Sequence, residues 1–251
     1  MSGWRPSRLA PGLILGAGVA LGERVELGAN VVIHDGVIIG DDCTIEDGAV
    51  LGKPPRFGPH SRAPEPLGEP LVLREGVTIC CHAVLCRGAS VGSATVIGDH
   101  AFLREGASIG SETVIGQGSA IGRGVVVGAR VRLQNNVIVA PDSQLEDDVF
   151  FGPLVAVAND PTMGRREATG VATEGVTARR GCRVGASAVL LPGVELGVEC
   201  LVGAGSVVTR AVPDRAVAVG VPARVIGAVD PVELLDASAS RALDGLPSPG
   251  R

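Results

Sequence analysis

Residues 91–127 read VGSATVIGDHAFLREGASIGSETVIGQGSAIGRGVVV, with an apolar side chain at every sixth position. The same step extends in both directions, from Leu73 to Val157, without an exception. The residues that share it are Leu73, Ile79, Leu85, Val91, Ile97, Leu103, Ile109, Ile115, Ile121, Val127, Leu133, Val139, Leu145, Phe151 and Val157. Two further runs, from Leu15 to Leu51 and from Ala178 to Val208, keep the same step. The chain is therefore an array of six-residue repeats.

A period of six is a multiple of the two-residue strand repeat and not of the 3.6-residue helix repeat. It predicts an all-β fold of short strands that end in turns. Gly usually follows the apolar residue, as at Gly92 and Gly98, where we expect a tight corner. The fourth position after the apolar residue is small or β-branched, as at Ala89 and Cys182. We expect this second side chain to point inward, between walls that lie close together.

The repeat therefore consists of an apolar residue, Gly, two variable residues, a small residue and one more variable residue. This unit resembles the hexapeptide repeat of the left-handed β-helix acyltransferases. The resemblance implies a left-handed parallel β-helix in which three hexads form one triangular coil, with about nine coils in total. It also implies a homotrimer whose active sites lie between neighbouring prisms. Exposed valines such as Val114 and Val126 agree with such an assembly.

The composition agrees with a core of stacked aliphatic layers, because 45% of the residues are apolar, 37 are Gly and only 2% are aromatic. The net charge of −5 gives no overall positive field for a nucleic acid, so we expect no nucleic-acid partner. We find neither an apolar run of about 20 residues nor a signal-peptide pattern. The expected location is therefore cytoplasmic, with no membrane partner.

The six cysteines are expected to pack rather than to bind metal. Three of them, Cys43, Cys182 and Cys200, occupy the small inward position, where a thiol behaves as a small hydrophobe. The other three, Cys80, Cys81 and Cys86, lack the C-x-x-C spacing of metal sites. We therefore expect no metal cofactor.

Two interruptions divide the ladder. The first reads GKPPRFGPHSRAPEPLGEP, and its prolines exclude strand pairing, which predicts an excursion loop over residues 52–72. The second, over residues 158–177, is polar and basic at its centre and is interpreted as an active-site loop. We expect a β-helix domain over residues 1–228 and a C-terminal tail over 229–251. That tail is expected to contain a short helix from Pro231 to Leu243.

Three short motifs narrow the resemblance, and a fourth, which closes the ladder, is common to many hexapeptide acyltransferases. They are Leu-Gln-Asn-Asn at residues 133–136, an acidic pair before Val-Phe-Phe-Gly-Pro at 147–153, Val-Ala-Asn at 157–159 and Gly-Val-Pro-Ala-Arg at 220–224. These resemble motifs of the N-acetyltransferases that acylate the amino group of nucleotide-linked 3-amino sugars. The resemblance implies acetyl-coenzyme A as the acyl donor and a nucleotide-linked amino sugar as the small-molecule acceptor.

An amine that attacks a thioester must lose a proton, and the carbonyl oxygen needs hydrogen-bond donors. Histidine suits the first task. His82 and His100 occupy the same position of hexads that are three repeats apart, which predicts that they stack in adjacent coils. We take both as catalytic candidates, with His100 preferred; the alternative is that both are solvated corner residues. His60 lies in the first loop, from which a neighbouring copy would present it.

The other candidates follow from the resemblance. Asn159 aligns with the loop Asn of the family and is expected to bind the sugar or to donate to the developing oxyanion. Asp160 is expected to orient the amine, unless it only caps a turn. The remaining substrate-binding candidates are Asn135, Arg165 and Arg166, and the two arginines suit a diphosphate. The coenzyme A candidates are Arg179, Arg180, Ala186, Ala204 and Arg224, with the alanines offering backbone N–H groups that a ligand can approach closely.

Three alternatives stay open. An acyltransferase of the lipid A type would use acyl carrier protein, and the extra N-terminal coils and the GKPPR segment loosely resemble it. A γ-class carbonic anhydrase has the same prism with three histidines on zinc, but its third ligand normally comes at a short His-to-His spacing, and only the 18-residue spacing of His82 and His100 occurs here. A purely structural β-solenoid would explain the ladder but not the loop over residues 158–177.

Overall fold

The computed structural model describes residues 5–6, 10–57, 68–165 and 170–235 and folds them as a parallel β-helix. Its strands are β1 (Arg5–Pro6), β2 (Ile14–Leu15), β3 (Ala20–Leu21), β4 (Glu26–Leu27), β5 (Val32–Ile33), β6 (Ile38–Ile39), β7 (Thr44–Ile45), β8 (Val50–Lys53), β9 (Val72–Leu73), β10 (Thr78–Ile79), β11 (Val84–Cys86), β12 (Ser90–Val91), β13 (Val96–Ile97), β14 (Phe102–Leu103), β15 (Ser108–Ile109), β16 (Val114–Ile115), β17 (Ala120–Ile121), β18 (Val126–Val127), β19 (Arg132–Leu133), β20 (Ile138–Val139), β21 (Gln144–Leu145), β22 (Phe150–Phe151), β23 (Ala156–Val157), β24 (Thr177–Ala178), β25 (Arg183–Val184), β26 (Val189–Leu190), β27 (Glu195–Leu196), β28 (Leu201–Val202), β29 (Val207–Val208), β30 (Ala216–Gly220) and β31 (Ala223–Ala228).

These strands form the three faces of a prism. Face A has the order β1-β2-β5-β8-β11-β14-β17-β20-β23-β26-β29, face B has β27-β24-β21-β18-β15-β12-β9-β6-β3, and face C has β31-β30-β28-β25-β22-β19-β16-β13-β10-β7-β4. The described chain therefore has 11, 9 and 11 strands in its faces, close to the nine coils that were predicted. The all-β class and the parallel β-helix are confirmed.

The apolar residue of each hexad is the second residue of a strand and points into the prism. Ile97 and Leu103 are fully buried, and burial of such a side chain stabilises the fold by about 1.5–3 kcal/mol. The small position is also buried, and where it is polar it bonds to the next coil: the Thr95 hydroxyl donates to the carbonyl of Gly110 at 2.7 Å. The two inward positions of the repeat were therefore predicted correctly.

The glycine after the apolar residue has a different function from the one expected. Gly98 does not have a positive φ, but a Cβ added to it would lie 2.7 Å from the amide nitrogen of Gln117 in the next coil. Gly is needed there because successive coils touch. The left-handed conformation of the corner falls two residues later, at His100 with φ 57° and at Glu112 with φ 57°.

Corners that are one coil apart stack into three edges. The histidine edge, between faces C and A, consists of residues 28–31, 46–49, 80–83, 98–101, 116–119, 134–137, 152–155, 185–188 and 203–206. The loop edge, between faces A and B, contains residues 34–37, 86–89, 104–107, 122–125, 140–143 and 191–194. The charged edge, between faces B and C, contains residues 40–43, 74–77, 92–95, 110–113, 128–131, 146–149 and 179–182. The side chains at the corners therefore form three separate columns along the prism.

Both interruptions leave the prism at the loop edge. The ladder stops after β8 and after β23, where the other coils have a short corner, and it resumes at β9 and β24. At the C-terminal end β30 and β31 form an antiparallel hairpin. A 3-10 helix follows at Pro231–Glu233, where the start of a helix was predicted; the predicted remainder beyond residue 235 lies outside the described residues. In the described chain no helix has the length and apolar character of a membrane span.

Face A differs from the other two faces in its outward side chains. Faces B and C mix apolar residues with Ser, Thr, Gln, Glu and Arg, whereas all of the outward residues of face A from β2 to β29 are apolar. They are Ile14, Val32, Val50, Val84, Phe102, Ala120, Ile138, Ala156, Val189 and Val207. A continuous apolar column of this length is typical of an interaction surface.

The coil contacts predict a stability difference between two glycines. A Cβ at Gly116 would lie 2.5 Å from the carbonyl carbon of Gln134, whereas a Cβ at Gly227 would meet no atom within 4 Å. We expect Gly116→Ala to destabilise the protein by about 1–3 kcal/mol because it overpacks the coil contact, which lowers Tm by about 2–4 °C per kcal/mol. Gly227→Ala is the control and should leave Tm unchanged in thermal unfolding followed by circular dichroism. Equal melting temperatures for both variants would contradict the coil-contact explanation.

Candidate active site

Two imidazoles are stacked on the histidine edge. The ring centroids of His82 and His100 lie 5.3 Å apart and the ring planes differ by 15°. Both residues have φ 57° and exposed side chains. The spacing of three hexads therefore placed them correctly relative to each other.

The neighbours of this pair along the edge are glycines. A side chain at Gly48, in the preceding coil, would overlap the His82 ring. Gly118, in the following coil, has no side chain to cover His100. The His82 ring therefore packs against Gly48, and the Asn136 side chain lies against Gly118.

A thiol and two carboxylates lie next to the stack. The ligand atoms of Glu46, Cys80 and Asp99 are all within 4.8 Å of one another, and the amide of Cys81 donates to both carboxylates at 3.1 Å. Burial, and after it the charges of Glu46 and Asp99, raises the pKa of the Cys80 thiol to about 11. The thiol is therefore protonated at neutral pH and is a poor nucleophile. This is the one such group of possible metal ligands among the described residues, and it contains no histidine, unlike the zinc site of a carbonic anhydrase.

Asp and Asn side chains connect successive coils at the corners. Each accepts a hydrogen bond of 2.6–3.2 Å from a backbone amide of the preceding coil. The donor and acceptor pairs are Ala17 with Asp35, Glu23 with Asp41, Ala29 with Asp47, Cys81 with Asp99, Gln117 with Asn135, Ala129 with Asp147 and Val198 with Asp214. Asn135, a substrate-binding candidate, is therefore also a structural residue, since its Oδ1 is already occupied.

This series of bonds stops at two of the coenzyme A candidates. On the histidine edge Ala186 and Ala204 occupy the position that Asp99 and Asn135 have in earlier coils. An alanine side chain accepts no hydrogen bond, and within the described chain the amides of Ala186 and Ala204 have no acceptor. These two amides lie on the same edge as the imidazoles, where the backbone amides of Asp47, Asp99 and Asn135 also have no acceptor among the described residues.

Asp160 shapes the second loop. Its carboxylate accepts hydrogen bonds from the Thr162 amide at 2.8 Å, the Thr162 hydroxyl at 2.7 Å and the Gly164 amide at 2.8 Å. The contacts that the structure gives for Asp160 are those of the turn-capping alternative, and its orientation of an amine stays a prediction.

Asn159 lies at the base of this loop on the loop edge. Its carbonyl accepts the Glu174 amide at 2.8 Å, and its side-chain amide approaches the Pro141 carbonyl at 3.5 Å. The side chain of Arg165 is exposed, while Arg166 and His60 lie outside the described residues.

The arginine candidates for coenzyme A lie elsewhere. Arg179 pairs with Glu146 at 2.9 Å and with Glu195 at 2.7 Å, and Arg180 pairs with Asp148 at 3.2 Å. These ion pairs lie on the charged edge and its border. In one chain, Arg179 and Arg180 are therefore separated from the free amides of the histidine edge.

The predicted residues thus form separate groups. The histidine edge carries His82, His100, Asn135, Ala186 and Ala204; the loop edge carries Asn159, Asp160 and Arg165; the charged edge carries Arg179 and Arg180; and Arg224 is exposed on β31. His100 precedes β14 and Asn159 follows β23, three layers further along face A, which is about 14 Å at the usual strand spacing. A single chain does not bring these two residues into contact.

A pocket that the sequence analysis missed lies on the loop edge beside the first loop. Its volume is about 300 Å³, and it is lined by Lys53, Pro55, Arg56, Phe57, Cys86, Phe102, Arg104 and Glu105. Phe57 and Phe102 are two of only four Phe in the chain, but they are 45 residues apart, so the sequence alone does not place them together. We refer to it below as the first-loop pocket.

Family models match three segments of the chain. The model described as bacterial transferase hexapeptide (six repeats) matches residues 18–53, and the hexapeptide repeat of succinyl-transferase matches residues 106–141 and 180–210. Among solved structures, the UDP-N-acetylglucosamine acyltransferase of Arabidopsis superposes with a TM-score of 0.61 over 94% of this chain and 76% of its own, at 17% identity. That likeness concerns the fold.

Two curated relatives are similar in sequence. The dTDP-3-amino-3,6-dideoxy-alpha-D-galactopyranose 3-N-acetyltransferase of Aneurinibacillus thermoaerophilus is 49% identical over 51 residues, which are 20% of this chain and 27% of that protein. The serine acetyltransferase of Salmonella typhimurium is 35% identical over 92 residues, which are 36% of this chain and 31% of that protein. The match therefore spans about a quarter to a third of the length of these relatives.

The raised pKa of Cys80 predicts slow alkylation. Because the unfolded thiol would have its ordinary pKa, native Cys80 should react with iodoacetamide at pH 7.5 far more slowly than after denaturation, and its rate should rise steeply only toward pH 10–11. Glu46→Gln should accelerate the reaction because it removes a negative charge that opposes the thiolate. Glu75→Gln, an exposed change of the same charge on the charged edge, is the control. Labelling of Cys80 is measured by peptide mass spectrometry. Fast labelling of Cys80 in the native protein at pH 7.5 would contradict the raised pKa of its thiol.

Proposed function

We propose that this chain, three segments of which match hexapeptide-repeat models, is an N-acetyltransferase that uses acetyl-coenzyme A to acylate the amine of a nucleotide-linked amino sugar. The observation that carries the proposal is the histidine edge, where two stacked imidazoles lie in one column with the backbone amides of Ala186 and Ala204, which have no acceptor among the described residues. The sequence similarity to a sugar N-acetyltransferase supports the choice of acceptor.

The free amides suit the acyl donor. Ala186 and Ala204 precede β26 and β29, so they lie four and five layers beyond His100, about 19 and 24 Å along the edge. Coenzyme A would supply an activated acetyl thioester at the end of a long arm with amide carbonyls. In this arrangement the two N–H groups hold the arm and direct its end toward the imidazoles.

The second participant is a neighbouring copy of the chain. The apolar face A lies between the histidine edge and the loop edge. If copies are related by rotation about an axis parallel to the prism, as in a cyclic trimer, the histidine edge of one copy lies beside the loop edge of the next. A groove between two copies then contains the imidazoles and free amides of one and the two loops of the other.

The heights along this groove assign a role to each residue. Asn159 of the neighbouring copy lies between the levels of Ala186 and His100, so its side-chain amide contacts the acyl-donor arm. His100 lies at the reacting end and accepts the proton of the attacking amine, with His82 stacked behind it. Arg165 and Arg166 of the loop approach the phosphates that enter the groove, and Arg179, Arg180 and Arg224 contribute positive charge for the cofactor.

The proposal predicts different kinetic effects for two variants. His100→Asn keeps a residue that tolerates the left-handed conformation and removes the proton acceptor, so kcat should fall by about 10²–10⁴-fold. Asn159→Ala should mainly raise the KM for acetyl-coenzyme A, by on the order of tenfold for one lost hydrogen bond. The measurement is thiol release from acetyl-coenzyme A with a panel of nucleotide-linked amino sugars.

Glu112→Asn is the matched control, because Glu112 has the same φ on the charged edge, and its rate should equal that of the wild type. An unchanged rate in His100→Asn would remove His100 from the mechanism. If release occurred only with longer acyl chains on acyl carrier protein, the enzyme would be a lipid A type acyltransferase instead. Absence of turnover with every donor and acceptor would reject the catalytic proposal.

Substitution of an apolar residue by a charged one tests whether copies of the chain associate through face A. Ile138 on face A is 54% exposed and Val126 on face B is 48% exposed, so the two sites are matched. We expect the wild type to have three times the mass of one chain in size-exclusion chromatography with light scattering. Ile138→Glu should give monomers, because it buries a charge in the contact, whereas Val126→Glu should remain trimeric. A monomeric wild type, or dissociation by Val126→Glu alone, would contradict the arrangement.

A further inference from the structure

The first-loop pocket has an excess of positive charge in a protein of net charge −5. Lys53, Arg56 and Arg104 line it together with one carboxylate, Glu105. Among the described residues neither Lys53 nor Arg56 has an ion-pair partner. Cations placed this close repel one another, and a bound anion would relieve the repulsion.

The carboxylate holds one of these cations in place. Glu105 is completely buried and accepts hydrogen bonds from Arg104 through Nε at 3.1 Å and Nη2 at 2.7 Å. Arg123 approaches the same carboxylate at 3.7 Å. A buried carboxylate needs such partners, and a guanidinium fixed on one side still has N–H groups for a second acceptor.

The pocket also has aromatic walls. Phe57 and Phe102 line it, and the Arg104 guanidinium lies 5.9 Å from the centroid of the Phe57 ring. Ring faces of this kind pack against flat ligands. Aromatic walls together with three cations are more selective than positive charge alone, because they match a ligand that has both a ring and phosphates.

The backbone around the pocket is constrained. Pro54 and Pro55 fix φ just before Arg56 and Phe57. The carbonyl of Lys53, at the end of β8, accepts the Arg87 amide at 3.0 Å. The cations are therefore carried by a segment that is largely ordered before any ligand binds, which lowers the entropy cost of binding.

We propose that the first-loop pocket binds the nucleotide of the acceptor. Its phosphates would contact Lys53, Arg56 and Arg104, and its base would pack against Phe57 and Phe102. The volume of about 300 Å³ suits such a group at the lower end of small-molecule sites. The choice of the acceptor as the source rests on the proposed function, since the adenosine phosphates of coenzyme A have the same chemistry.

The position of the pocket favours the acceptor. Phe102 follows His100 by two residues, so the pocket and the imidazole lie at the same level of the prism. In the cyclic arrangement, His100 of a neighbouring copy therefore faces this pocket across the groove. A nucleotide bound here would place the sugar amine near that imidazole, whereas the free amides for the donor lie about 19–24 Å further along.

Calorimetric titration with dTDP, UDP and 3′,5′-ADP tests the assignment. The variants are Arg56→Gln and Arg104→Gln, and Arg74→Gln is the matched control, since Arg74 lies in an identical Leu-Arg-Glu-Gly segment on the charged edge. We expect Kd for dTDP or UDP to rise on the order of tenfold or more in the two pocket variants, because each loses charged hydrogen bonds to phosphate. The control should bind like the wild type, and 3′,5′-ADP should be unaffected.

Arg56 is exposed, so Arg56→Gln should fold normally, and its Tm verifies this. Equal Kd values in all variants, no nucleotide binding to the wild type, or weakening only in Arg165→Gln would overturn the proposal. Weakening of 3′,5′-ADP alone would assign the pocket to coenzyme A and overturn the acceptor assignment. The titration measures binding without acetyl transfer, so the two proposals can fail separately. If acetyl transfer depended on His100 but the pocket variants bound nucleotides like the wild type, the nucleotide assignment of the pocket would be wrong and the proposed function would stand.

Discussion

Successive coils of the prism are about 4.8 Å apart because parallel strands hydrogen-bond at that distance. Corners have no room at this spacing for a side chain between coils: a Cβ at Gly122 would lie 2.5 Å from the amide nitrogen of Pro141. The same spacing lets the Asp147 carboxylate reach the Ala129 amide at 2.8 Å. The glycines and the corner carboxylates of the repeat are therefore two consequences of one distance. Where Ala204 replaces the carboxylate, the amide of Ala186 in the preceding coil is left without an acceptor.

Much of the fold follows from counting hexads, because three hexads bring the chain back to the same edge. Counting placed His82 and His100 in one stack, and the structure agrees. The limit of counting is visible in the segment Leu-Arg-Glu-Gly, which occurs at 73–76 and again at 103–106. The two copies are five hexads apart, which is not a multiple of three, so they lie on different edges. Glu75 is exposed, whereas Glu105 is completely buried beside Arg104, and only the loop edge with its first loop produces that difference.

The loops also explain which site predictions failed to converge. The ion pair between Arg179 and Glu146 joins adjacent coils across the second loop, which makes that coil longer than three hexads. A count of three hexads across the loop therefore assigns partners wrongly. The turn role of Asp160 depends on bonds to Thr162 and Gly164, which a composition of Asn, Asp and Pro permits but does not distinguish from ligand binding. The repeat can therefore be predicted from the sequence. The roles of the loop residues depend on tertiary contacts that the sequence does not specify.

In the proposed trimer, copies related by rotation about an axis parallel to the prism share the same levels, so the ladder that orders one chain would also determine which groups of two chains meet. The first-loop pocket then faces His100, while Asn159 faces the histidine edge three layers away, about 14 Å. Asn159 is held at the base of its loop by the Glu174 amide, so it cannot approach the level of His100 without breaking that bond. Under the proposed function, Asn159 therefore lies at the level of the acyl-donor arm, three layers from the level at which His100 is proposed to accept the proton.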